Sequence, residues 1–181
     1  ALKLKSHPNI MAKSIPFNAE ADSLNSAIMA PDVTPDDEEF EIFAKEVVKE
    51  MTAKAGQKCT AIRRVLVPAE HLDALAERIK ERLGKITFGN PAAEGVRMGA
   101  LASQDQLRDV NDAIDRLLES SECVYGKAEG LKPVGDGVDN GAFIAPHLLI
   151  NRNPLNDGGA HDIEAFGPVA TLMPYNGIEE A

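Results

Sequence analysis

The chain has 181 residues, with 19 Lys and Arg against 29 Asp and Glu, a formal net charge of −10. Phosphate surfaces need a local surplus of cations, so this balance excludes nucleic acid and anionic membrane as the main partners, and no apolar run approaches the roughly 18–20 residues that span a bilayer. A chain 44% hydrophobic and 27% charged fits an α/β domain, and its two cysteines make no disulfide framework and point to a reducing, cytoplasmic setting.

In chain order, the sequence begins Ala1-Leu2-Lys3-Leu4-Lys5 without a methionine, as if within an element. Residues 34–52 give the strongest helical pattern. Thr34 is placed to cap it, Pro35 suits its first turn, and Asp36, Asp37 and Glu38 suit the positive end of its dipole. Phe40, Phe43, Ala44, Val47, Val48 and Met51 then form one apolar stripe. After Gly56, residues 61–67 predict a strand ended by Pro68, followed by a helix over about 69–83 with Gly84 near its end. A third helix begins at Ser103, where Ser103 and Gln106 have the spacing of a capping box, and its apolar face is Leu107, Val110, Ile114 and Leu117. Short strands are predicted at 122–125, 143–144, 148–150 and 169–173, with loops over 126–141 and 151–160. Helices alternating with short β runs imply an α/β fold, a mostly parallel sheet flanked by helices on both faces. The chain ends Ile178-Glu179-Glu180-Ala181, acidic residues of the kind that open a helix.

Chemistry concentrates at Gly56-Gln57-Lys58-Cys59-Thr60-Ala61, a cysteine in a short connection between a helix and a strand. Such loops hold reacting groups while leaving them accessible. Lys58, Arg63 and Arg64 would favour the thiolate, the nucleophilic form. The alternative is an inert buried thiol. Cys123 sits in a predicted core strand and reads as a small hydrophobe. His7, His71, His147 and His161 have no metal-ligand spacing, among themselves or with the cysteines. No glycine-rich phosphate loop occurs, so these residues alone should not hold a dinucleotide.

The cysteine segment resembles the nucleophile segment of the aldehyde dehydrogenase superfamily. The resemblance continues in order through Gly89-Asn90-Pro91, Met98-Gly99-Ala100-Leu101, Gly141-Ala142-Phe143-Ile144-Ala145-Pro146 and Glu164-Ala165-Phe166-Gly167-Pro168-Val169. Upstream, Phe17-Asn18-Ala19-Glu20-Ala21-Asp22-Ser23-Leu24-Asn25 departs from the common Glu-Leu-Gly-Gly-Lys pattern. It resembles instead the subgroup of bacterial phenylacetate catabolism, in which the dehydrogenase is fused to an enoyl-CoA-hydratase-like domain and oxidises a CoA-linked semialdehyde.

The resemblance implies that Cys59 is the nucleophile and that its backbone N–H serves the oxyanion hole. It implies that Glu20 is the base that activates the hydrolytic water, that Glu164 binds the nicotinamide ribose, and that Phe166 packs near the nicotinamide. The cofactor is NAD or NADP, with the subgroup favouring NADP, and the full-length protein is a homo-oligomer. Residues 1–181 are then a single partial catalytic domain, truncated at both ends, that turns over little or nothing alone. CoA-acylating relatives generally lack a base at the Glu20 position, so Glu20 argues for hydrolysis. A thiol-bearing interaction domain without catalysis is the reading from a different class.

Overall fold

In a computed structural model that describes residues 2–20, 22–127 and 131–181, the strands β1 (Asn25–Ile28), β2 (Ile62–Pro68), β3 (Glu122–Tyr125), β4 (His147–Ile150) and β5 (Val169–Tyr175) form one sheet. Its order is β1-β2-β5-β4-β3. The first four strands of that order run parallel, and β3 closes one edge antiparallel to β4. The helices are α1 (Leu2–Lys5), α2 (Pro8–Ala12), α3 (Glu38–Thr52), α4 (Leu72–Leu83), α5 (Gln104–Leu117) and α6 (Gly159–Asp162).

Strand alternation sorts the core onto two faces. Val65 and Val67 of β2, Leu148 and Ile150 of β4, and Ala170 and Leu172 of β5 pack with the apolar stripes of α3 and α4. Leu66, Leu149, Val169 and Met173 point the other way, onto Val110, Ile114 and Leu117 of α5. The mostly parallel sheet flanked by helices on both faces is therefore the observed architecture. Cys123 is half-buried against the α5 side. His147 opens β4 fully in the core, where burial pushes its pKa down and its Nδ1 stands 2.9 Å from the Ala145 carbonyl.

Several local expectations are corrected. Helix α3 starts at Glu38, with Asp37 rather than Thr34 at the capping position. Thr34 lies three residues before that cap, outside the helix. It instead donates its N–H (2.8 Å) and Oγ1–H (2.7 Å) to the Asp37 carboxylate, holding that carboxyl below its ordinary pKa. The α4 stretch opens with a tighter turn at Ala69–His71 before the helix proper. At α5 the Ser103 Oγ accepts the Gln106 N–H (3.1 Å) as expected. The Gln106 side chain does not close the box, because its Nε2 donates to the Phe166 carbonyl at 2.9 Å. Residues 143–144 are not a strand but a segment without a ladder partner, and β1 and α6 arise where none was expected. Residues 128–130 of the expected 126–141 loop and Ala21 of the upstream motif lie outside the described residues.

Candidate active site

Three segments that carry the chemistry enter three neighbouring strands. Residues 19–23 lead into β1, the cysteine segment leads into β2, and residues 164–168 lead into β5. The sheet order β1-β2-β5 places these entries side by side, so residues far apart in sequence meet at one end of the sheet's strands. The site lies at the amino ends of the parallel strands, opposite to the usual ligand crevice at their carboxyl ends.

The turn that presents Cys59 begins where α3 ends. Lys54, Ala55 and Gly56 take positive φ values of 54°, 51° and 70° in succession, reversing the chain within one turn. At Gly56 a side chain would overlap the Gly167 carbonyl, so the nucleophile turn and the Phe166-Gly167-Pro168 turn touch backbone to backbone. Arg63, only 5% exposed, ties the same two turns. Its Nη1 donates to the Gly167 carbonyl and its Nη2 to the Gly56 carbonyl, each at 2.6 Å. Its guanidinium lies 5.5 Å from the Phe166 ring centre, a cation–π distance. Its Nε stands 4.0 Å from Glu164 Oε1. Burial pushes the Arg63 pKa down and the Glu164 charge pushes it back, leaving the guanidinium a cation.

The result is an open cleft of about 500 Å³. Ala19, Glu20, Asp22 and Ser23 line one side, Cys59 another, and Glu164 and Phe166 a third. Cys59 and Glu20 are exposed, whereas the Glu164 side chain keeps 14% of its surface. Glu164 and Phe166 also border an adjoining opening of about 320 Å³ with Gln106 and Asp109. The cleft thus gathers all four residues singled out from the sequence. Among the described residues the Cys59 N–H has no hydrogen-bond acceptor, while the Cys59 carbonyl accepts from Ser23 Oγ (2.6 Å) and Asn25 Nδ2 (2.5 Å).

The three cations expected to favour the thiolate are engaged elsewhere. Lys58 pairs with Glu50 at 2.7 Å, and Arg63 holds the two turns. Arg64 donates to the Leu24 carbonyl and contacts His161 Nδ1 at 3.2 Å, away from the cleft lining. Arg63 therefore serves the two turns, and Ser23, Asn25 and Gln106 join the site through contacts that no motif announces. Arg63 left a trace, because it is a charged residue at an inward position of the β2 alternation. Ser23 and Asn25 left none, since their partners lie 34 to 141 residues away.

Fold and cleft together define a parallel α/β domain that displays a cysteine among carboxylates at the strand entries. The aldehyde dehydrogenase family pattern matches residues 9–181, and the chain belongs to that family. It is 43% identical, over its whole length, to a 3,4-dehydroadipyl-CoA semialdehyde dehydrogenase of Aromatoleum evansii, of which it covers 35%. In fold it is similar to betaine aldehyde dehydrogenase of Staphylococcus aureus, solved with NAD+, at a TM-score of 0.71 and 24% identity over 87% of this chain and 29% of that one. A Sinorhizobium meliloti protein described as a methylmalonate-semialdehyde dehydrogenase, solved with NAD, gives a TM-score of 0.74 at 22% identity over 87% of this chain and 30% of that one. The chain spans about a third of the length of these relatives.

Proposed function

We propose that the chain carries the nucleophile, the hydrolytic base and the ribose-binding carboxylate of an NAD(P)-dependent aldehyde dehydrogenase that converts an aldehyde to a carboxylic acid. The observation that carries this reading is the meeting of Cys59, Glu20, Glu164 and Phe166 in one cleft from three separate strand entries. The Aromatoleum relative, named for a CoA-linked semialdehyde, supports a substrate of that kind, as does the resemblance to the phenylacetate subgroup.

Cys59 as thiolate adds to the aldehyde carbon, forming a C–S bond and placing negative charge on the former carbonyl oxygen. The Cys59 N–H, which has no acceptor among the described residues, is a donor available to that oxyanion. The nicotinamide cofactor, when bound, supplies the hydride acceptor that turns this adduct into a thioester. Glu20 then takes a proton from water as the water oxygen attacks the thioester carbon. The C–S bond breaks, the acid leaves, and the Cys59 thiolate is regenerated. The presence of Glu20 in the same cleft as Cys59 favours water over CoA as the group that resolves the thioester.

The residues fit the cofactor's nicotinamide half. Glu164 offers two oxygens suited to a ribose diol, and Phe166 a ring beside them at the junction of the two openings. The subgroup resemblance favours NADP, and the NAD-bound fold relatives support a nicotinamide cofactor of either kind. The adenosine-binding residues lie outside this chain, which is a segment of a longer, cytoplasmic, homo-oligomeric enzyme and turns over little alone. In that full-length enzyme Cys59→Ala lowers aldehyde-dependent cofactor reduction to below about a thousandth, with unchanged melting. A rate retained within about threefold removes the cysteine from this role.

A further inference from the structure

Two donors converge on one carbonyl oxygen at the nucleophile. Ser23 Oγ donates to the Cys59 carbonyl at 2.6 Å, and Asn25 Nδ2 donates to the same oxygen at 2.5 Å while reaching the Ala61 carbonyl at 3.1 Å. Ser23 has a second set of contacts. Its Oγ stands 3.3 Å from Glu164 Oε1, and its backbone N–H donates to Glu164 Oε2 at 3.3 Å. A single serine therefore joins the peptide of the thiol residue to the carboxylate read as the ribose acceptor. Counting from Glu20, Ser23 stands where the second glycine of Glu-Leu-Gly-Gly-Lys falls, a residue with no side chain to make either Oγ contact.

A hydroxyl has one proton to donate. Shared between two acceptors, it serves each less than fully, and the distances favour the Cys59 carbonyl. We infer that Ser23 is a positioning residue that couples the state of the Glu164 carboxylate to the reactivity of Cys59, an inference that rests on the proposed roles of those two residues. A ligand hydroxyl that engages Glu164 draws the carboxylate off the Ser23 hydroxyl. The proton then goes wholly to the Cys59 carbonyl and tightens the Cys59–Thr60 peptide. That peptide sets ψ at Cys59, and so the direction of its Cα–Cβ bond relative to the loop.

A double-mutant cycle in the full-length protein measures this without cofactor or aldehyde, so nothing in the cleft shields the thiol. The readout is the rate of Cys59 alkylation by iodoacetamide, followed by mass spectrometry of the Cys59 peptide, with melting temperatures compared throughout. Glu164→Gln weakens the acceptor that competes for Ser23. In the Ser23 background it changes the Cys59 rate by about threefold or more, whereas with Ser23→Ala it changes the rate by less than about 1.5-fold. Ser23→Thr, which keeps the hydroxyl, restores the response. An equal Glu164→Gln effect in both backgrounds, no effect in either, or Ser23→Thr behaving as Ser23→Ala overturns the coupling. Because the assay counts alkylated thiol and not turnover, loss of the coupling and loss of the catalytic reading register separately.

Discussion

Gly56 and Arg63 show how little room the site leaves for substitution. Gly56 combines a φ of 70° with direct contact between its turn and the Gly167 carbonyl. Alanine there meets both a disfavoured backbone region and a backbone overlap. Gly56→Ala is therefore expected to destabilise the protein by more than about 2 kcal/mol, read as a lowered urea midpoint; a change below about 0.5 kcal/mol would mean that the two turns are not in register as described. Arg63 satisfies two carbonyls of these turns from a position inside the sheet. An unpaired buried carbonyl costs on the order of 1–3 kcal/mol, so removing the Arg63 guanidinium would leave two such costs at these turns.

The elements follow from pattern and fail where pattern is weak. Helices α3, α4 and α5 carry unbroken apolar stripes, and β2 and β5 carry alternating or continuous apolar runs, so each is legible in the sequence. Strand β1 is Asn-Ser-Ala-Ile at the sheet edge, and nothing in those four residues marks a strand until β2 lies beside it. Segment 143–144 is apolar because Ala142, Ile144 and Ala145 pack under α5, not because it joins a ladder. Cys59 and the two carboxylates proposed for the site could be picked from motif resemblance, whereas the bonds that hold Cys59 and Glu164 join residues that only the sheet order brings together. At α5, Ser103 alone provides the side-chain cap, because Gln106 is spent on the Phe166 carbonyl. Ser103→Ala is expected to lower stability by about 1 kcal/mol in urea titration. No shift beyond experimental error would show that the cap contributes nothing.

At the scale of the whole molecule, the candidate site depends on sheet order more than on any one loop. Three strand entries, β1, β2 and β5, meet only because those strands are neighbours, and the helices on both faces fix them there. The net charge of −10 argues against a phosphate-rich polymer as a partner but is silent on a CoA-linked aldehyde. Among the described residues no helix is long and apolar enough to cross a membrane, and no cluster of His, Cys, Asp and Glu could hold a metal ion. The chemistry proposed for this cleft rests on a thiol, a carboxylate base and a nicotinamide cofactor. The most direct test of that account uses Glu20→Gln in the full-length enzyme, mixed with aldehyde and NADP+ or NAD+ and quenched. The account predicts one burst of reduced cofactor per site and, by peptide mass spectrometry, an acyl group on Cys59. Steady turnover at the unsubstituted rate with no acyl adduct, or an adduct on Cys123 instead, would contradict it.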